Sequence, residues 1–258
     1  MDTVLLHWDG EGWAPTLVHR KVNNHIGILV GGGPSLSKID ISKLNGPGKT
    51  VFGMNNTYPQ VKPDIWMGMD DPNCYHTEVF FEPFMKILRG GYQERPAQKF
   101  HIKRLYNVHY VNFDHPPDLH VEHLLKTTGK KAPFLYWYKN TFMAAIGLML
   151  HMGYRKIYLA GCDLNNKTQH YFNDIKLTDP QQKRNAQLYD QLYMHLTKLV
   201  ELLPNTFYSI SPGSRINLLM PYVDLDTLNS GLVLPKEKGE LLYCTDAEEK
   251  LLAETKEN

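Results

Sequence analysis

Ile26-Gly27-Ile28-Leu29-Val30-Gly31-Gly32-Gly33-Pro34-Ser35-Leu36 is the stretch that decides the fold class. The apolar run at residues 26–30 has no polar face, the pattern of a parallel strand buried on both sides. Gly31, Gly32 and Gly33 then let the chain turn sharply and let a ligand approach the backbone. Pro34 suits the first turn of a helix, where its missing N–H is no loss and its φ is already helical. Strand, glycine turn and helix N-terminus, with Ser35 at the rim, predict an anion site where free N–H groups and the positive end of a helix dipole converge. A nucleotide phosphate is the usual occupant; the competing reading is a tight turn without a ligand. The motif is not the dinucleotide fingerprint, because Leu36 stands where the third glycine of G-x-G-x-x-G belongs. It is not a P-loop either, since no Gly-Lys-Ser/Thr follows.

Outward from this stretch, apolar and polar segments alternate. Residues 1–24, with Trp8 and Trp13 near Gly10 and Gly12, predict a small hairpin ahead of the core. Residues 40–44 predict a short helix or turn. Residues 50–54 and 63–69 predict two more strands, ending at Asn55-Asn56 and at Asp70-Asp71-Pro72. Residues 80–88 predict a helix, and 89–135, rich in Pro, His and aromatics, predict irregular structure with strand-like pieces at 100–102 and 109–112. Residues 140–152 have helical spacing with Gly153 as a C-cap, and 156–160 predict a buried strand ending at Gly161-Cys162-Asp163. A polar segment, about 165–182, is a candidate lid. Residues 184–203 predict a long amphipathic helix stopped by Pro204, and 206–210 a last strand followed by Ser211-Pro212-Gly213-Ser214. Strands alternating with helices predict an α/β fold: a doubly wound, mostly parallel Rossmann-like sheet with a lid segment. The expected organisation is one α/β nucleotide-binding catalytic domain over residues 1–235 and a charged, peripheral C-terminal tail over 236–258. In such sheets ligands bind beyond the strand C-termini, where Gly31–Ser35, Asn55, Asn56, Asp70, Asp71, Gly161, Asp163, Ser211 and Ser214 all fall.

Composition narrows the function classes. The 258 residues carry 28 Lys+Arg against 27 Asp+Glu, so net charge gives no global pull toward nucleic acid or membrane. The basic clusters at 101–104, 126–131 and 183–184 read as solvated surface. Cys74, Cys162 and Cys244 are odd in number, widely spaced and without C-x-x-C, which argues against a disulfide framework or zinc knuckle and for a reducing compartment. Asp2, His7 and Asp9 do not fit a signal peptide. The longest apolar stretch, 142–152, is too short to span a bilayer. A cytoplasmic protein without a membrane span is expected, and a homo-oligomer is compatible with everything above.

Three blocks in order resemble one family. Gly31-Gly32-Gly33-Pro34-Ser35-Leu36 is similar to the G-x-G-P-S-L opening of the bacterial sialyltransferases of glycosyltransferase family 42, and of the related motility-accessory-factor (DUF115) proteins that include 6-hydroxymethylpterin pyrophosphokinases. Residues 140–164 resemble their helix–Gly-Tyr–strand–Gly-x-Asp segment, and 207–214 form a weaker third block. The Pro63-Asp64 strand ending at Asp70 is closer to the DUF115 branch. The resemblance to the sialyltransferases implies sugar transfer from a CMP-sugar-like donor to a hydroxyl acceptor. Gly31, Gly33 and Ser35 match its nucleotide-holding loop and Asn55 or Asn56 its asparagine; Thr141 lies at the corresponding helix start, and Asp163 in the Gly-x-Asp segment, among the candidate catalytic residues. Tyr171 matches a lid tyrosine that helps the phosphate leave. The family's catalytic histidine has no aligned counterpart: Asp179-Pro180 stands there, and His170 sits earlier.

Either His170 or Asp179 is therefore a candidate base, since an imidazole or carboxylate within reach can take a hydroxyl proton. Asp163 is a candidate for holding a ribose or the acceptor, or for a turn-stabilising role. Tyr136, Trp137 and Tyr138 are candidates for stacking, or for burial. The first functional reading is a glycosyltransferase acting by direct displacement, with no required cofactor. The acceptor is a glycan or a modified nucleic acid. The second is an ATP-dependent pyrophosphokinase with Mg²⁺ on Asp70 or Asp71. The third is a nucleotide-binding module without catalysis.

Overall fold

The computed structural model describes residues 5–18, 26–91, 105, 107–114, 120–127, 134–136, 138–165, 178–231 and 243–245. Its strands are β1 (Leu5–Trp8), β2 (Trp13–Val18), β3 (Ile26–Val30), β4 (Lys49–Met54), β5 (Ile65–Gly68), β6 (Met85–Arg89), β7 (Val108–Val111), β8 (Phe113–Asp114), β9 (Leu135–Tyr136), β10 (Ile157–Ala160), β11 (Phe207–Ser209) and β12 (Tyr243–Thr245). Its α-helices are α1 (Glu122–Thr127), α2 (Thr141–His151), α3 (Asp179–Leu202) and α4 (Leu225–Ser230). All five residues of β3 are buried, as an unbroken apolar run requires.

One sheet has the order β11-β10-β3-β4-β5-β6-β7-β1-β2-β12, and β8 pairs with β9 in a separate parallel pair. From β11 to β7 every pairing is parallel. The chain runs outward one way from β3 through β4 to β7, then returns to lay β10 and β11 on the other side of β3. The strand order therefore reverses between β10 and β3, the switch point where open α/β sheets form a crevice at their carboxyl ends. The expected mixed α/β fold with a large, mostly parallel sheet is what is found.

Alternation along β3 divides the core. Leu29 faces one side with Phe52, Met67, Leu159 and all of α2's large apolar residues. Ile26, Ile28 and Val30 face the other, with Val51, Tyr158 and the segment that carries Leu36, Ile39 and Leu44. Gly27 lies on the α2 side, where a Cβ would stand 2.3 Å from Met149 Cε and 3.1 Å from the Tyr154 ring. The glycine lets the helix lie close on the strand. Each large aliphatic side chain buried there contributes roughly 1.5–3 kcal/mol. α2 begins one residue after its Asn140 cap, whose Oδ1 accepts the Met143 N–H at 2.7 Å. It ends before Gly153, at φ +95°.

Several expectations need correction. The helix predicted over 80–88 is instead a 3₁₀ turn, Thr77–Phe81, followed by β6. Pro83 cannot donate inside a helix, and a short apolar run does not by itself distinguish helix from buried strand. Lys86 disguised that strand: it is fully buried in mid-sheet, its Nζ donating to Glu82 O. The helix expected at Pro34 is a 3₁₀ helix of five residues, Pro34–Lys38. The long helix starts at Asp179, earlier than expected, because Thr178 and Gln181 form a capping box and Pro180 fits the first turn. Asp179-Pro180 is thus the helix start, and residues 179–182 belong to α3 and not to a lid. Residues 166–177, like the piece at 100–102, lie outside the described residues.

The N-terminal hairpin extends the main sheet, β1 pairing antiparallel with β7. Three residues of the tail add a further strand, β12 pairing antiparallel with β2. Within 89–135 the strand-like piece expected at 109–112 is β7, while β8, α1 and the start of β9 replace irregular structure among the described residues. No helix among the described residues is long and apolar enough to cross a membrane.

Candidate nucleotide-binding cleft

A cleft of roughly 450 Å³ opens at the carboxyl ends of β3, β4, β5 and β10, and α2 and α3 supply its other walls. Gly31, Gly32, Gly33, Pro34, Asn55, Asn56, Asp70, Thr141, Gly161 and Asp163 line it. The structure brings these sequence-predicted residues to one place. Ser35, Asp71, Asp179, Ser211 and Ser214 are not among its lining residues, and His170 and Tyr171 lie outside the described residues.

The glycine loop lines the cleft and also packs against the exit of β10. Gly31 N–H donates to Ala160 O at 2.8 Å and Gly33 N–H to Gly161 O at 2.7 Å. Ser35 N–H donates to Asp163 Oδ2 at 2.7 Å. Alternate amides are thus committed to the exit of β10, and the Asp163 carboxylate already occupies the start of the 3₁₀ helix. A Cβ on Gly33 would stand 2.5 Å from Asp163 Oδ2 and 2.6 Å from Gly161 O. The glycines are needed to bring two loops together, with Gly161 at φ +60° on the opposing side.

The anion-favouring end of the cleft belongs to α2. The Thr141 and Phe142 N–H groups, in the first turn, have no intrahelical partner, and both residues face the cleft with Asn140 and Lys139. Arg184 of α3 adds a second cation to the lining. A positive helix end flanked by two cations suits a phosphate.

Asn55 is the fixed polar group beside that end. Thr141 Oγ1 donates to Asn55 Oδ1 at 3.1 Å. The Tyr75 hydroxyl accepts the Asp70 N–H at 2.8 Å and donates to the same Asn55 oxygen at 3.3 Å. Trp66 Nε1 donates to Asn55 O at 2.9 Å and packs edge-on against Tyr75, with ring centroids 4.9 Å apart. With its oxygen engaged twice, the Asn55 NH₂ is what the side chain offers a ligand. Asn55 holds φ +50°, Lys139 +58° and Leu164 +48°, three left-handed non-glycine residues that all line the cleft. Such conformations gather at functional sites, where the surrounding structure has to hold them.

Asp163 is buried, and its second oxygen, Oδ1, has no hydrogen-bond partner among the described residues. A buried carboxylate oxygen on a cleft wall takes a donor from water or from a ligand. Asp70 is exposed at the cleft. Asp71 instead turns its Oδ1 onto the Asn73 N–H at 3.0 Å and the Asn73 side-chain amide at 2.9 Å, an Asx turn. Among the described residues no group of three or more His, Cys, Asp or Glu side chains is placed to hold a metal. Burial, reinforced by the neighbouring Asp163, pushes the Cys162 thiol well up, so it stays protonated and is no nucleophile.

Ser211 braces the site from outside: its Oγ accepts the Gly161 N–H at 2.9 Å and donates to Leu159 O at 3.2 Å. The sequence reading missed Lys139, Asn140, Tyr75 and the α3 wall of Arg184, Asn185, Leu188, Tyr189 and Leu192. The α3 residues follow the i, i+4 spacing of one helix face, a signal that in the sequence alone is indistinguishable from ordinary amphipathicity. Tyr75 had no signal, because its role depends on Asn55, 20 positions away.

No protein-family model matches the sequence, and a search of curated proteins finds no relative. Among solved structures, the chain is similar to the sialyltransferase CST-II in complex with a trisaccharide acceptor and CMP, at 18% identity and a TM-score of 0.47, covering 90% of this chain and 99% of that one. It is also similar to the sialyltransferase CstII from Campylobacter jejuni in complex with the substrate analogue CMP-3FNeuAc, at 14% identity and a TM-score of 0.43, covering 91% and 100%. A third is the monofunctional alpha-2,3-sialyltransferase Cst-I from Campylobacter jejuni, at 16% identity and a TM-score of 0.46, covering 94% and 98%.

Proposed function

We propose that the chain is a glycosyltransferase that moves a sugar from a CMP-sugar-like donor to a hydroxyl acceptor by direct displacement. The observation that carries this reading is the pairing of two complementary ends in one cleft. The α2 N-terminus with Lys139, Arg184 and the Asn55 amide suits a phosphate, and the unpartnered Asp163 Oδ1 suits a hydroxyl of the same nucleotide. In the reaction the acceptor oxygen forms a bond to the anomeric carbon and the nucleotide phosphate leaves with the bonding electrons. A base takes the acceptor proton. Charge builds on the leaving phosphate, and donors already fixed in place stabilise it without reorganisation. His170 remains our assignment for the base, with Asp179 second, and Tyr171 for the leaving phosphate. A cytoplasmic location and residues 1–235 as the catalytic unit complete the reading.

Thermal melting with CMP, CDP, UDP, GDP, ADP and ATP, each with and without Mg²⁺, tests it. A ligand that binds only the folded state raises its apparent stability. Stabilisation by CMP without metal supports glycosyl transfer; stabilisation only by ATP or ADP with Mg²⁺ overturns it. The second reading, diphosphate transfer from ATP, has one observation in its favour, the Asp70 carboxylate at the cleft. Mg²⁺ is commonly held by one or two carboxylates together with substrate phosphates. Asp70 fits that role and Asp71, committed to its turn, does not.

A further inference from the structure

We propose that Arg215 is a positioning residue that sets the spacing between two walls of the cleft, the exit of β10 and the flank of α3. Its Nη1 donates to Leu164 O at 3.2 Å and to Asp190 Oδ1 at 2.7 Å. Its guanidinium carbon lies 4.0 Å from the centre of the Tyr193 ring. Leu164 is itself a cleft residue, and it holds the left-handed φ of +48° that a leucine adopts only under constraint. Asp190 and Tyr193 alternate along α3 with Tyr189 and Leu192, which line the cleft. One side chain from outside the cleft thus ties the strained residue on one wall to the helix that forms the other.

The base of Arg215 is tied down as well. It opens the 3₁₀ turn Arg215–Leu218 after β11. The preceding loop is held to the exit of β10 by the Gly161 N–H on Ser211 Oγ at 2.9 Å, and Asn217 Nδ2 closes it on Ser211 O at 3.0 Å. A half-exposed ion pair such as Arg215–Asp190 would contribute little alone. What distinguishes this one is that a single Nη1 reaches both a carbonyl and a carboxylate while the guanidinium carbon lies over the Tyr193 ring, a flat face that a planar guanidinium covers better than an ammonium does.

The test compares wild type with Arg215→Gln and Arg215→Lys by hydrogen exchange and by calorimetric titration with CMP. The calorimetric arm rests on the proposed function; the exchange arm does not. In Arg215→Gln, exchange at residues 161–165 and 184–192 is expected to quicken about tenfold, with β3 and β4 unchanged, the signature of local rather than global opening. CMP affinity is expected to fall about tenfold, because misplaced walls weaken every contact they carry. Arg215→Lys, which keeps a cation for Asp190, is expected to lie between the two. Unchanged exchange at 161–165 and 184–192 overturns the proposal, as does a quickening spread evenly over β3 and β4, which marks a merely structural role. If wild type does not bind CMP, the nucleotide reading fails while the exchange comparison still decides the role of Arg215.

Discussion

Thr141 Oγ1 donates to Asn55 Oδ1 at 3.1 Å, joining the N-terminus of α2 to the end of β4 across the cleft. The Tyr75 hydroxyl engages the same oxygen, which leaves the NH₂ as the group the side chain offers a ligand. Because Asn55 sits at φ +50°, glycine is the informative replacement: it accepts the backbone and removes only the side chain. A hydrogen bond to a charged group contributes about 1.5–3 kcal/mol, so Asn55→Gly is expected to weaken CMP binding by roughly tenfold to a hundredfold. Calorimetric titration measures it. Equal affinity in the variant would remove Asn55 from the phosphate site.

Asp163 has two oxygens with two jobs. Oδ2 accepts the buried Ser35 N–H, and Oδ1 is the oxygen without a partner. Asp163→Asn keeps an acceptor for Ser35 and turns the other position into a donor. We expect the fold to hold and CMP affinity to fall about tenfold, with no such loss for a nucleotide lacking ribose hydroxyls, since a mismatched donor is costly only where a donor must be received. Asp163→Ala also strands the Ser35 N–H, and urea unfolding should show a loss of about 1–3 kcal/mol. A loss of affinity equal for both nucleotides would take the ribose away from Asp163.

Much of this was legible in the sequence, and what was not has physical causes. Residues 26–30 and 156–160 read as strands because they are short, apolar and followed by glycines. The same residues predicted the parallel sheet and the crevice at its carboxyl ends. The glycine loop reads from the sequence as a place of close approach, and the β10 exit does approach it, at Gly31 and Gly33. Nothing in a single segment reveals that Gly33 must clear Asp163, 130 residues away. The α2 N-terminus joins the same cleft, and its cap Asn140 is visible at a helix boundary without any sign in the sequence that it shares a cleft with the glycine loop. Residues 80–88 were misread because Lys86, a charge in the middle of a central strand, hides the strand pattern.

Asp70 separates the two enzymatic readings. It is the exposed carboxylate at the end of β5, and its N–H is held by Tyr75 while its side chain faces the cleft. If it carries no metal, Asp70→Asn leaves CMP affinity within about threefold of wild type, and EDTA has no effect, because a phosphate held by amides and cations needs no bridging ion. If it carries Mg²⁺, loss of the carboxylate or of the metal abolishes nucleotide binding. Titration of both proteins with CMP and with ATP, with and without EDTA, decides it.

His109 gives the fold an acid-sensitive seam far from the cleft chemistry. It lies on β7 where the parallel sheet meets the hairpin. Its Nδ1 stands 2.8 Å from Thr16 Oγ1 of β2, its Nε2 2.9 Å from Asn107 Oδ1, and Thr16 Oγ1 is in turn 3.0 Å from His7 Nδ1 of β1. Burial, followed by the nearby His7 and Lys86 charges, lowers its pKa from 6.5 to about 3. The neutral ring is thus the native form. Below pH 6.5 the unfolded chain takes up a proton that the native protein refuses until about pH 3. The contribution to stability is therefore complete above 6.5 and is lost as the pH falls toward 3, with a slope of up to about 1.4 kcal/mol per pH unit. His109→Gln cannot titrate, so its stability should decline less between about pH 7 and about pH 5 than that of wild type, the other histidines contributing equally to both. Urea unfolding at the two pH values measures the difference. Parallel declines in the two proteins would mean that the ring between Thr16 and Asn107 takes up its proton as readily folded as unfolded.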